Sequence, residues 1–259
     1  INTMTTKSQI EWTEQTWNPT TGCTKVSAGC KHCYAEVMAK RLKAMGANGY
    51  QNSFELSLLP ERLTQPIKRR KPTTYFVNSM SDLFHEDVPF SFIDKVFDVI
   101  GQTPQHRYQI LTKRENRILL YFKNRNVPAN VWLGVSVENI KEGLPRIEVL
   151  KKIPAKIRFL SIEPLLEDLG EVDFSDIHWV IVGGESGSKA RPMKEQWALN
   201  IQAQCDEQNI AFFFKQWGTW GADGVKRNKQ KNGKLLNNKI FHTYPKVQNI
   251  SNEINAYPY

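Results

Sequence analysis

Six short apolar runs follow one another along this 259-residue chain, at 75–79, 108–113, 131–138, 157–163, 179–185 and 211–215. Each is rich in β-branched or aromatic residues and ends in polar or turn-forming ones, which is how strands buried on both faces of a parallel sheet read. Their starts lie 33, 23, 26, 22 and 32 residues apart, enough for one helix in each crossover. Segment 9–17 supplies a further strand ahead of them. Helical spacing fills several gaps: Phe92, Ile93, Val96, Phe97 and Ile100 behind a Ser91 cap with Asp94 three residues on, Ala35, Met38, Leu42 and Met45, and Met193, Trp197, Ile201 and Gln204. Seven such units predict an α/β fold, a partial (βα) barrel over 9–220, ahead of a doubly wound sheet. A basic tail, 221–259, follows. Its Lys-, Asn- and Gly-rich stretch 226–234 predicts a mobile segment, with Leu235, Leu236, Ile240 and Phe241 docking back on the barrel.

In a barrel the reactive groups gather at the C-terminal ends of the strands. Here those ends carry Ser79, Asp82, Lys113, Arg114, Ser136, Glu138, Glu163, Glu185 and Lys215. The loop after the first strand belongs to the same face, and it holds Cys23, Cys30 and Cys33 within eleven residues. Three thiolates on a four-iron cluster leave one iron open to a ligand. A structural zinc with His32 or His85 as fourth ligand is the main alternative, although His32 sits awkwardly between Cys30 and Cys33. Free thiols are another, and four cysteines in 259 residues do not make a disulfide scaffold. Cys205 lies beside a helical apolar stripe and reads as a small packed hydrophobe, with hydrogen-atom donation as the sharper alternative.

Residues 1–7 are polar and lack the apolar core of a signal peptide, and no run approaches the ~18 apolar residues of a membrane span. The expectation is a cytoplasmic protein with no membrane partner. A net charge of +9 and a pI near 9.3 favour a polyanion such as nucleic acid. The densest basic run is 68–71. Trp12, Trp17, Tyr34, Trp217 and Trp220 suit base stacking or, equally, capping of the barrel.

Segments 10–19 and 22–34, Phe76-Val77-Asn78-Ser79-Met80-Ser81-Asp82-Leu83-Phe84-His85, Leu111-Thr112-Lys113-Arg114, 132–138, 159–166, 182–187, 190–193 and 212–218 together resemble the phage gene-product 37/68 family. These proteins are also described as three-Cys-motif proteins with radical-SAM-like cysteines. The resemblance spans roughly 9–245. It implies a partial (βα) barrel of radical S-adenosylmethionine (SAM) type with a [4Fe-4S] cluster on Cys23, Cys30 and Cys33. Such enzymes usually space their cysteines three and two residues apart; here the first gap is six and the Cys-x-x-Cys half agrees. By the same resemblance His32 and Tyr34 lie near the cofactor, Asn78, Ser79 and Asp82 hold the SAM amino group, and Ser136 and Glu138 meet its ribose. Gly183 and Gly184 permit close backbone approach to a ligand. Glu163 and Glu185 read as acid–base or amine-binding groups, with Lys113, Arg114, Arg191 and Lys215 opposing them. Glu163, Glu185 and Lys215 are therefore the candidate catalytic residues. The implied activity is SAM cleavage to modify or repair a nucleic acid or nucleotide, with a three-Cys-motif protein as a partner. The competing readings are a non-catalytic metal-binding module that recognises nucleic acid, and a hydrolase or transferase using the mouth carboxylates.

Overall fold

The structure, a computed structural model, describes residues 10–246. The expectations for residues 1–7, and those parts of the barrel and tail that fall on residue 9 and on 247–259, lie outside the described residues. Seven strands form one sheet: β1 (Gln15–Trp17), β2 (Thr74–Val77), β3 (Arg107–Thr112), β4 (Val131–Ser136), β5 (Ile157–Ile162), β6 (Trp179–Gly183) and β7 (Ala211–Gln216). They lie in chain order and every neighbouring pair is parallel. Between them run α1 (Tyr34–Ala44), α2 (Phe90–Gln102), α3 (Glu115–Phe122), α4 (Ile140–Lys151) and α5 (Glu195–Glu207).

Aromatic contacts show how far the sheet curls. Trp12, just ahead of β1, lies 6.1 Å from Trp179 on β6 and 6.2 Å from Phe159 on β5, centroid to centroid. In a flat sheet β1 and β6 would be five strand spacings apart, roughly 24 Å at ~4.8 Å each. The sheet is thus a partial barrel, and its two faces divide the core. The outer face presents Trp17, Tyr75, Tyr108, Leu133, Leu160, Val180 and Phe212 to the helices, where Phe92, Ile93, Val96 and Ile100 of α2 meet them. The concave face holds a second cluster of Trp12, Phe76, Trp132, Phe159, Trp179, Ile181 and Phe213. Gly134 has to be a glycine here, because a Cβ would sit 2.6 Å from the Phe159 ring.

Two local expectations need correction. Helix α2 starts at Phe90 behind Pro89, whose fixed φ sets the helix entry, so Ser91 lies in the first turn and caps nothing. The crossover from β5 to β6 contains no helix. Pro164 and Gly170 interrupt it, and Leu165, Leu169, Val172, Phe174 and Ile177 are buried from an irregular path.

After β7 the chain returns beneath the barrel. The Trp217 indole donates to Leu235 O at 2.8 Å, Leu236 is fully buried, and Phe241 packs on Phe212. His242 stacks on Phe213 at 4.2 Å, and Tyr244 lies 5.2 Å from Trp179, so this segment covers the aromatic floor of the barrel. Leu235 and Ile240 stay exposed, as do residues 226–231. No helix among the described residues is long and apolar enough to cross a membrane.

Candidate functional site

Parallel strands in chain order bring all seven C-terminal ends to one edge, so the loops after them share a face. The longest relevant one is the cysteine loop after β1. Three Arg–carboxylate pairs, each rooted at a different strand end, hold it in place.

The first pair stands between β2 and β3. Asp82, 6 % exposed, accepts from Phe84 N at 2.9 Å, Thr112 Oγ1 at 2.8 Å, Lys113 N at 3.0 Å and Arg114 Nη1 at 3.2 Å. Arg114 continues outward to Cys23 Sγ at 3.5 Å, Thr24 O at 3.2 Å and Thr24 Oγ1 at 3.0 Å. The second pair is at β4. Glu138 is fully buried, with Arg146 Nη1 on Oε2 at 2.6 Å, while Ser27 Oγ and Gly29 N donate to Oε1. Burial pushes the Glu138 carboxyl up, but Lys113, Arg146 and Ser27 outweigh it and hold it below its ordinary value. The third pair follows β6. Arg191 grips Glu185 through its own backbone N (2.8 Å), Nε (2.9 Å) and Nη2 (2.6 Å), and Nη2 also reaches Ala28 O at 3.0 Å. Burial again works against ionisation of Glu185, and the Arg191 bonds again prevail. The loop is therefore pinned at 23–24, at 27 and 29, and at 28.

Cys23, Cys30 and Cys33 are all free and half-buried. Burial pushes the Cys23 thiol up to about 11 against the pull of Arg114. Ser27 Oγ lies 3.8 Å from Cys30 Sγ. Among the described residues no group of three or more His, Cys, Asp or Glu side chains is placed to hold one metal ion. In donor chemistry the loop fits an iron–sulfur cluster. It has three uncombined thiols on one short segment, and a guanidinium donor placed on the Cys23 sulfur. His85 suits a fourth zinc ligand poorly. It is buried, its Nδ1 accepts from Asp87 N at 3.1 Å, and its Nε2 meets Thr24 Oγ1 at 2.9 Å, so both ring nitrogens are engaged.

The upper concave face carries the remaining candidates. Ser136 and Ser161 are register partners on β4 and β5, and the Glu163 side chain occupies the notch above Gly183, where a Cβ would sit 3.2 Å from its Cδ. Glu163 accepts from Lys215 Nζ at 2.8 and 2.9 Å and from Gln216 Nε2 at 3.3 Å, a half-buried pair. Asn78 has φ +60, a left-handed conformation that Asn tolerates. Its Nδ2 donates to Thr20 Oγ1 at 2.6 Å, and its buried Oδ1 has no protein donor. Ser79 Oγ donates to Asn18 Oδ1 at 3.2 Å, and its carbonyl accepts from the Tyr34 hydroxyl. His32 is half-buried and lies near Glu185.

The structure thus gathers the three cysteines, His32, Asn78, Ser136, Glu163 and Lys215 at one face. Asp82, Glu138 and Glu185 are there too, but their carboxylates are directed to arginines and to the cysteine loop. Gly184 serves packing: a Cβ would sit 1.9 Å from Trp217 O. Cys205 is fully buried in α5 on the outer, helix-packed side of the sheet, and burial pushes its thiol far above the ordinary range. Arg146, Thr24 and Ser27 went unread in the sequence. The one available signal was a charged residue, Arg146, in line with the apolar Ile147 and Leu150 of α4.

No curated protein matches the sequence significantly. Among solved structures, a spore photoproduct lyase mutant superposes with a TM-score of 0.50 at 15% identity, covering 91% of this chain and 74% of that one. Another spore photoproduct lyase mutant, with bound AdoMet and dinucleoside spore photoproduct, gives a TM-score of 0.46 at 16% identity, and the match covers 70% of this chain but only 58% of that one. The first likeness is one of fold, and agrees with the partial barrel. Residues 7–245 match the family described as protein of unknown function (DUF5131), and the chain belongs to that family.

Proposed function

We propose that this protein is a radical-SAM-type iron–sulfur enzyme acting on a nucleic acid or nucleotide. The observation that carries the proposal is the cysteine loop: three free thiols at the C-terminal face of a partial (βα) barrel, anchored by buried ion pairs. Cys23, Cys30 and Cys33 would hold a [4Fe-4S] cluster, which when bound supplies the electron for reductive cleavage of SAM. The chain's own groups orient the SAM. Asn78 Oδ1, buried and without a protein donor, is suited to accept from its amino group. The Ser136 and Ser161 hydroxyls line the concave face where ribose would lie. Glu163 and Lys215, opposed across the mouth at 2.8 Å, present one acceptor and one donor to a substrate. The net charge of +9 favours a phosphate-bearing substrate. The experiment is to incubate anaerobically reconstituted protein with SAM and a strong reductant and to measure 5′-deoxyadenosine. Formation that is lost in Cys23→Ala, Cys30→Ala and Cys33→Ala supports the proposal. Formation that persists in all three refutes it.

A further inference from the structure

The first gap in the cysteine motif puts six residues between Cys23 and the Cys30-x-x-Cys33 pair, too many for local loop geometry alone to place its sulfur. Tertiary contacts place it instead. Its backbone N donates to Phe54 O at 3.0 Å, and its Sγ accepts from Arg114 Nη1 at 3.5 Å. A guanidinium has five N–H donors in a fixed fork, and every one on Arg114 has an acceptor. Nε bonds Glu86 Oε2 at 2.7 Å; Nη1 bonds Asp82 Oδ2 at 3.2 Å and Cys23 Sγ; Nη2 bonds Thr24 Oγ1 at 3.0 Å and Thr24 O at 3.2 Å. The side chain is 3 % exposed, and Asp82 is itself fixed by Phe84 N, Thr112 Oγ1 and Lys113 N, so neither partner of the pair is free to swing.

From this geometry we propose that Arg114 is the positioning residue for Cys23: it sets where the sulfur stands and places a positive hydrogen-bond donor on it. The effect on a cluster rests on the iron–sulfur reading above; the effect on the loop does not. A donor on a ligating sulfur stabilises the reduced cluster, because the added electron density lies partly on sulfur, and so raises the reduction potential. Lysine cannot take over this role, since one ammonium with three donors does not span Asp82, Cys23 and both Thr24 oxygens. The neighbouring basic residue, Lys113, acts on Glu138, so two adjacent cations have separate tasks.

The test uses the full chain and two variants, Arg114→Lys and Thr24→Val. In metal-free protein, trypsin cleavage after Lys25, an exposed site within the loop, reports loop order. In reconstituted protein, a spin-resonance titration reports the cluster potential. Folded Arg114→Lys is expected to be cleaved after Lys25 several-fold faster than wild type, with cleavage elsewhere unchanged, and to show a more negative potential. Wild-type cleavage together with wild-type potential overturns the proposal. If Arg114→Lys does not fold, Thr24→Val decides. It keeps the Arg114–Asp82 pair and removes the Thr24 hydroxyl, which bonds both Arg114 Nη2 and His85 Nε2, so His85→Phe is run beside it; cleavage faster than in His85→Phe supports the proposal and a rate no faster overturns it. Wild-type protein that takes up no iron and sulfide defeats the cluster reading, while the cleavage result still judges Arg114.

Discussion

Glu138→Gln separates a loop anchor from a ligand contact. The substitution preserves shape and leaves an oxygen for Ser27 and Gly29, but it removes the negative charge facing Arg146 at 2.6 Å. Both side chains are at most 3 % exposed, so the guanidinium loses its closest counter-charge in a dry environment. Breaking a buried pair by removing one partner costs about 3–5 kcal/mol. Glu115 remains 3.4 Å from Arg146 Nε and the Ser136 carbonyl still accepts from Nη1, which places the expected loss near the lower figure. At roughly 2–4 °C per kcal/mol for a domain of this size, about 3 kcal/mol lowers Tm by roughly 6–12 °C. The assay is denaturant and thermal unfolding of metal-free protein at neutral pH, with the m-value checked for constancy. A residue whose business is a bound ligand would leave metal-free stability nearly unchanged. A Glu138→Gln protein within about 1 kcal/mol of wild type would refute the anchoring argument.

Further outcomes follow from the same geometry. Glu138 and Glu185 are both held below the ordinary carboxyl value of 4.5, so the stability they contribute is complete above that value and is lost as pH falls through their lowered folded values; unfolding midpoints should drop steeply below pH 4.5 in wild type and less so in Glu138→Gln, and equal slopes would contradict this. Gly184→Ala forces a Cβ to within 1.9 Å of the Trp217 carbonyl, where only backbone can yield, and should destabilise by about 1–3 kcal/mol in urea. Leu236→Ala should cost about 2–5 kcal/mol if the tail segment docks as described, and an unchanged midpoint would mean that it does not. Cys205→Ala should leave iron and sulfide content as in wild type, since that thiol is buried on the far side of the sheet; loss of iron would make it a ligand.

The strands were legible because buried parallel strands must be continuously apolar, and runs such as 179–183 and 211–214 have little else they can become. The helix-free crossover after β5 was not legible, because its apolar residues are as frequent as in a helix and only Pro164 and Gly170 mark the difference. At the site, chemistry-bearing residues were visible, and so were some of their partners, Arg191 for Glu185 among them. Glu163 and Lys215 read as opposing charges and do meet. Asp82 and Glu138 read as SAM-facing, yet each is matched to an arginine, and nothing in the sequence of α4 announces that Arg146 reaches Glu138. Gly184 shows the same gap: a glycine announces close approach but not what approaches, and here it is the Trp217 backbone.

We propose that the pinned cysteine loop holds a cluster with one open iron. Anaerobic reconstitution with iron and sulfide, followed by metal and sulfide analysis and spin-resonance spectra with and without SAM, tests it most directly. About four iron and four sulfide per chain are expected, with a spectrum that SAM changes. Stoichiometric zinc with no sulfide in protein purified without oxygen would contradict it.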